Sequence, residues 1–316
     1  MPSVRARLLA VAVAALRVHT TFDGPERIRR AVAGDRRRGP TPPPAKVRAG
    51  FSVREEELSG HRVHVVAPRD GAPSTRRVLY LHGGGWTLSI TDPHWGLIAK
   101  LARRLDCAVI VPGFPLAPEH TARETFAMLL PLYAELAARA DEGELTVMGD
   151  SSGGNLALSL AMQARTAGLP QPARLVLLSP CVDATFGDPG LARLDRRDPI
   201  LPARGLPELG RVYAGDLDVR DPVVSPLFGT LAGLAPIAVF TGTRDVLNVD
   251  AHRLREKAER AGIPLAWHEF PGMLHVWPLF PIPEAADALE RVAAFVTTEP
   301  VTVLGTGKEV RRSARE

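Results

Sequence analysis

Gly149-Asp150-Ser151-Ser152-Gly153-Gly154-Asn155 decides how this chain is read. Ahead of it, Glu144-Leu145-Thr146-Val147-Met148 is short and apolar, like a buried strand. Behind it, Leu156-Ala157-Leu158-Ser159-Leu160-Ala161-Met162 reads as the start of a helix. Gly-x-Ser-x-Gly between a strand and a helix describes a turn so tight that the serine backbone is strained. Glycine is needed at 149 and 153 because a Cβ there would collide with the neighbouring strand and helix. The turn lifts the Ser151 hydroxyl above the carboxyl end of a sheet. The following helix aims its first amides at the same spot, where negative charge would develop on an attacked carbonyl.

Outward from that turn, apolar strands alternate with helices. Strands are expected at 78–81, 107–111, 174–178, 237–240 and 265–270, and helices at 93–105, 122–140, 249–261 and 284–296. This rhythm implies an α/β fold with a mostly parallel sheet covered by helices on both faces. Two further strands, 51–57 and 61–66, are joined by a Ser59-Gly60 turn. Residues 1–50 are expected to form an N-terminal helical cap segment ending in the linker Gly39-Pro40-Thr41-Pro42-Pro43-Pro44. Residues 51–297 form the main domain, whose rhythm breaks between 183 and 225. That insertion is rich in Pro, Asp and Arg, has a helix-like piece at 203–213, and is placed to form a helical cap over the site. Residues 298–316 lack a hydrophobic pattern and read as a disordered tail.

Arg5 and Arg7 precede an apolar run, 8–16, closed by Arg17 with no small-x-small cleavage site. The run is far shorter than the ~20 residues that span a bilayer. It reads as a helix packed on the body, with an uncleaved signal or surface anchor as the alternative.

The 316 residues are 45% hydrophobic and 23% charged, an ordinary globular balance for one large domain with a cap. The net charge of +4 is scattered, apart from Arg36-Arg37-Arg38 and Arg311-Arg312. Without an aromatic-studded basic stripe it reads as solubilising surface charge, not a nucleic-acid footprint. The two cysteines, Cys107 and Cys181, lie at apolar runs like small core residues, so no disulfide framework is expected and a cytoplasmic setting fits.

A serine in such a turn needs a base, an acid to orient that base, and donors for the oxyanion. His82-Gly83-Gly84-Gly85-Trp86 follows the 78–81 strand and suits an oxyanion loop. It is not a P-loop, because no Lys-Ser/Thr follows. Gly83 and Gly84 are expected to supply two amide donors, and Ser152 a third. The acid is expected at Asp245, after the 237–240 strand, and the base at His275, in the loop after the last strand. Asp150 is expected to point away from the chemistry, and Asp250 to sit in the first turn of a helix. No cofactor motif and no His/Cys/Asp cluster at metal-ligand spacing is present.

These motifs, with Leu116-Ala117-Pro118-Glu119-His120, resemble the hormone-sensitive-lipase-like branch of the α/β-hydrolases, the bacterial family IV carboxylesterases. The resemblance spans roughly residues 50–297. It implies a metal-free serine hydrolase that cleaves carboxylic esters through an acyl-enzyme, with a cap built partly from N-terminal helices. Three departures stand out. Phe114-Pro115 replaces the family's Tyr-Arg, Ser152 replaces Ala, and the Asp245 to Asp250 spacing is one residue longer. Short to medium acyl chains are expected, since the 183–225 insertion has no long amphipathic lid. An amidase, such as an aryl formamidase, would use the same groups. A catalytically dead ligand-binding homologue is the third reading, disfavoured by His275. The expected partner is a small-molecule ester, with no nucleic acid, no membrane association, and a homodimer left open.

Overall fold

The apolar runs align in one eight-stranded sheet. The strands are β1 (Ser52–Leu58), β2 (His61–Ala67), β3 (Arg77–Leu81), β4 (Ala108–Pro112), β5 (Leu145–Asp150), β6 (Arg174–Leu178), β7 (Ile237–Gly242) and β8 (Leu265–Phe270). Their spatial order is β1-β2-β4-β3-β5-β6-β7-β8. β1 and β2 form an antiparallel hairpin, β2 is antiparallel to β4, and every pairing from β4 to β8 is parallel. This computed structural model describes residues 1–70, 74–141 and 144–298. The tail expected to be disordered, apart from Thr298, lies outside the described residues.

Ten helices surround the sheet among the described residues: α1 (Val4–Ala15), α2 (Pro25–Arg38), α3 (Ala45–Gly50), α4 (Asp92–Leu105), α5 (Ala122–Ala138), α6 (Ser152–Thr166), α7 (Leu191–Leu194), α8 (Leu206–Ala214), α9 (Asn248–Arg260) and α10 (Pro283–Thr297). Strand residues alternate between two cores, as the period of two requires. Leu79, Leu81, Val147, Leu177 and Val239 pack with α5, α6 and α9. Val78, Tyr80, Met148, Val176 and Ala238 pack with α4 and α10 on the other face. Every residue of β5, β6 and β7 is buried, which is why their sequences run apolar without alternation. β1, at one edge, exposes Arg54, Glu55 and Glu57, charges that blunt pairing with another chain. Local caps start two of the helices. Thr91 with His94 opens α4, and Thr121 with Glu124 opens α5.

The insertion at 183–225 carries α7 and α8, and it meets the N-terminal segment. A Cβ on Gly205 would lie 1.6 Å from the Phe22 carbonyl oxygen, so the two segments touch backbone to backbone. The reading of Arg36 as solubilising charge is wrong. Its guanidinium donates to the carbonyls of Thr87 and Ala117 at 2.9 Å each, and to Asp35 and Glu119. Asp35 in turn accepts from the Ser89 amide and hydroxyl. Arg36 thus ties α2 to the loop after β3, and it gives Glu119 of the Leu-Ala-Pro-Glu-His motif its partner. A charge-bearing triplet looks alike in sequence whether it is solvated or clamped.

Candidate active site

Ser151 occupies the turn between β5 and α6 with φ 53° and ψ −120°, a conformation that L-residues rarely adopt. The glycine requirement is met by real collisions. A Cβ on Gly149 would lie 2.2 Å from the Gly153 carbonyl oxygen, and one on Gly153 would lie 1.9 Å from that of Leu81. The turn is held by Ser151 N–H donating to the Leu178 carbonyl at 2.9 Å, and by Cys181 N–H donating to the Ser151 carbonyl at 3.0 Å.

The three side chains expected to act together do meet. The Ser151 hydroxyl lies 2.9 Å from His275 Nε2, and His275 Nδ1 lies 3.0 Å from Asp245 Oδ1. All three are buried. Asp245 Oδ1 also accepts from the Leu247 amide at 2.9 Å, which fixes the carboxylate plane. The loop carrying His275 comes so close to β7 that a Cβ on Gly242 would lie 2.3 Å from the Met273 carbonyl oxygen. Burial alone would lower the His275 pKa. The Asp245 carboxylate, by charge and hydrogen bond, with Asp198 and Asp150 farther off, instead holds it above the ordinary imidazole value.

The oxyanion loop is displaced by one residue from the expectation. Gly83 N–H, expected to face the carbonyl, donates to Asp150 Oδ1 at 3.0 Å. A Cβ there would lie 2.4 Å from Asp150 Oδ2, so Gly83 is a point of close packing. Gly84 and Gly85, with φ of +126° and +60°, line the cavity beside Ser151. Neither donates a hydrogen bond among the described residues. Ser152 opens α6, so its N–H has no intrahelical acceptor by position. The free donors around Ser151 are therefore Gly84, Gly85 and Ser152.

Asp150 points away from the chemistry and supports that loop from below. Its Oδ1 accepts from Tyr80 Oη at 2.6 Å as well as from Gly83, and His94 Nε2 lies 3.4 Å from Oδ2. Two departures from the family pattern add to this support. The Ser152 hydroxyl accepts from the Trp86 amide at 3.2 Å, a bond Ala cannot make. Phe114 stacks on His82 at 4.6 Å. His82 Nδ1 donates to the Gly83 carbonyl at 2.7 Å. Burial, with His94 nearby, pushes the His82 pKa down to about 4 against the hydrogen bond and Asp150. The folded protein therefore keeps His82 neutral where the unfolded chain, titrating near 6.5, takes up a proton. Its contribution is complete above pH 6.5 and is lost as pH falls toward 4, about 3 kcal/mol at 1.36 kcal/mol per unit. The Tm of the wild type is expected to fall over that window. His82→Gln is expected to lose part of that dependence, measured by thermal melts at stepped pH.

Asp198, in the cap insertion, gave no signal in the sequence. It is buried and reaches the acid loop, accepting from the Val246 amide at 3.0 Å and from Ile200 at 2.9 Å. Asp198, Asp245 and His275 each offer an atom within 4.8 Å of the other two, a grouping that chain spacing hides. Its donor set does not suit a cation, because both imidazole nitrogens already face hydrogen-bond partners. Among the described residues, Asp245 Oδ2 is buried without a hydrogen-bond partner, on the carboxylate that is hydrogen-bonded to the imidazole. Burial, then the Asp245 charge, raises the Asp198 pKa to about 6, against His275 and two amide bonds. Above that pH its negative charge favours the imidazolium. Asp198→Asn is expected to move the acid limb of the kcat/KM profile to lower pH by roughly one unit. A residue serving only to hold the cap would leave that limb in place.

Ser151 and His275 lie in a cavity of about 470 Å³. Its walls are apolar: Leu9 and Val13 of α1, Leu16 at the end of that helix, Phe22, and Phe186, Leu206 and Leu209 of the insertion. Trp86 stacks on Tyr213 of α8 at 4.7 Å with 7° between the rings, joining the oxyanion loop to the cap. Cys181 also lines the cavity. Burial raises its thiol pKa well above normal, and both cysteines are free and buried.

The alpha/beta hydrolase fold family matches residues 78–279. An esterase from Acinetobacter venetianus is 32% identical over 78% of this chain and 82% of its own length. An acetyl-hydrolase from Streptomyces hygroscopicus is 32% identical over 71% of this chain and 76% of its own. The crystal structure of an esterase from the bacterial hormone-sensitive lipase family superposes with a TM-score of 0.80 at 25% identity, covering 94% of this chain and 98% of that one. The family match spans the parallel strands, the serine turn and the loops bearing Asp245 and His275, and the chain belongs to the hormone-sensitive-lipase-like carboxylesterases of the α/β-hydrolase superfamily.

Proposed function

We propose that this ester-cleaving hydrolase acts through an acyl-enzyme on Ser151 and takes esters of short to medium acyl chains. The observation that carries the reading is the hydrogen-bonded line from the Ser151 hydroxyl to His275 to Asp245, opening into an apolar cavity. His275 Nε2 takes the hydroxyl proton as Ser151 Oγ attacks the ester carbonyl. The amides of Gly84, Gly85 and Ser152 receive the oxyanion. The tetrahedral species collapses, the C–O bond to the alcohol breaks, and the imidazolium gives its proton to the leaving oxygen. Water then attacks the acyl-enzyme with His275 as base, and the acid departs as Ser151 recovers its proton. Asp245 holds Nδ1–H and stabilises the imidazolium.

The acyl-length preference rests on a cavity walled on the insertion side by Phe186, Ile200 and Leu201 and by the short helix α8, and on the Streptomyces relative, whose name is acetyl-hydrolase. A panel of p-nitrophenyl esters graded by chain length is expected to give the highest kcat/KM at short to medium acyl groups. Faster turnover of emulsified long-chain triglyceride would overturn the preference. Matched ester and anilide substrates separate this reading from an amidase, for which the anilide would be the better substrate. A small-molecule ester is the partner, and a homodimer remains the assembly to test by light scattering.

A further inference from the structure

Among the described residues, the exposed large apolar side chains all lie between Met1 and Val18. α1 buries Ala6, Ala10 and Val13 against the body. At 100° per residue, Val4, Leu8, Val11 and Ala15 fall within an arc of about 60° on the opposite side. Val4, Leu8 and Val11 there are 61%, 63% and 67% exposed. Apolar helix faces are normally buried, and among the described residues this outer stripe has no partner. Arg5 and Arg7 project from its two flanks, and Arg17 follows its end. No Asp or Glu occurs from Met1 to Phe22, and the first ion pair along the chain is Asp23 with Arg27. Between the stripe and the buried side, Leu9, Ala12 and Leu16 line the cavity that holds Ser151. No helix among the described residues is long and apolar enough to cross a membrane.

We propose that α1 docks the protein on an anionic lipid surface, lying in its plane and not through it. The stripe enters the boundary between headgroups and acyl chains, while Arg5, Arg7 and Arg17 meet lipid phosphates. The apolar stripe alone would suit a second copy of the chain. The cationic flanks decide against that, because like charges would face each other across a symmetric contact. Docking this way brings the cavity's rim to the lipid surface, where esters of low solubility collect. It takes the surface-anchor alternative for the 8–16 run over the expectation of no membrane association.

The test is co-sedimentation of the full chain with phosphatidylglycerol vesicles and with phosphatidylcholine vesicles, at low and high salt. It needs no turnover, so it stands or falls apart from the esterase reading. Binding is expected on phosphatidylglycerol, weaker on phosphatidylcholine and weakened by salt. Arg5→Gln with Arg7→Gln is expected to cut phosphatidylglycerol affinity about fivefold per arginine. Leu8→Gln with Val11→Gln is expected to cut it at least about tenfold. Hydrolysis of a soluble acetate ester by both variants is expected to match the wild type, which shows that they fold. No binding to phosphatidylglycerol, or binding unchanged in both double variants, would overturn the proposal. So would a dimer that Leu8→Gln with Val11→Gln converts to monomer in the absence of lipid binding, since a second copy would then cover the stripe.

Discussion

Ser151→Ala is expected to lower kcat roughly a millionfold with little change in KM. In a serine protease, losing the nucleophile alone costs about as much as losing the whole triad, because the groups act as a unit. The cavity walls and the oxyanion amides are untouched by the substitution, so ester binding persists. Only the covalent step is removed. Alanine keeps the Cβ and inherits the strained φ of 53°, and what it gives up is the bond to His275 Nε2. The melting temperature should therefore stay near that of the wild type. Steady-state kinetics on a soluble acetate ester check the expectation. Retention of more than about one part in a hundred of wild-type kcat would point to another nucleophile, with the neighbouring Ser152 the first suspect.

Asp245→Asn is expected to lower kcat about 10⁴-fold. The carboxylate is fully buried and meets His275 Nδ1 at 3.0 Å. An amide in its place turns a donor toward Nδ1 and favours the tautomer protonated at Nε2, which cannot accept the Ser151 proton. Asp250→Asn is expected to leave turnover nearly intact and to cost about 1 kcal/mol of stability. Asp250 does lie in the first turn of α9, but it is buried and paired with Arg253 at 2.7 Å, so helix polarity is not its main role. Burial, opposed by Arg253, raises its pKa to about 7. Asparagine keeps the side-chain shape and an oxygen that can still accept from Arg253. Parallel kinetics on the two variants decide the matter. A crippled Asp250→Asn beside an active Asp245→Asn would reverse the assignment.

The sheet and the Ser151, Asp245 and His275 positions were legible because their signals are local. Each is an apolar run followed by a turn, and chain order does the rest. What the sequence hid depends on contacts between distant segments. The glycine loop was recognisable, but which of its amides face the carbonyl depends on Asp150, which takes the Gly83 N–H for itself. The signal that finds this is spatial: the space beside Gly83 is filled by Asp150, while Gly84 and Gly85 turn through positive φ. Asp198 sits 47 residues before Asp245 in a stretch without pattern, yet it bonds to Val246. Arg36 hid in a run of like charges, though its partners Thr87, Ala117 and Glu119 lie far along the chain. The apolar stripe of α1 was visible as composition. Only packing showed which of its faces is buried.

Peptide mapping by mass spectrometry after treatment with diethyl p-nitrophenyl phosphate tests Ser151 as the nucleophile most directly. One diethylphosphoryl adduct is expected, on Ser151, formed in step with loss of esterase activity and absent from Ser151→Ala. An adduct on Ser152, or full inactivation with Ser151 unmodified, would contradict that assignment.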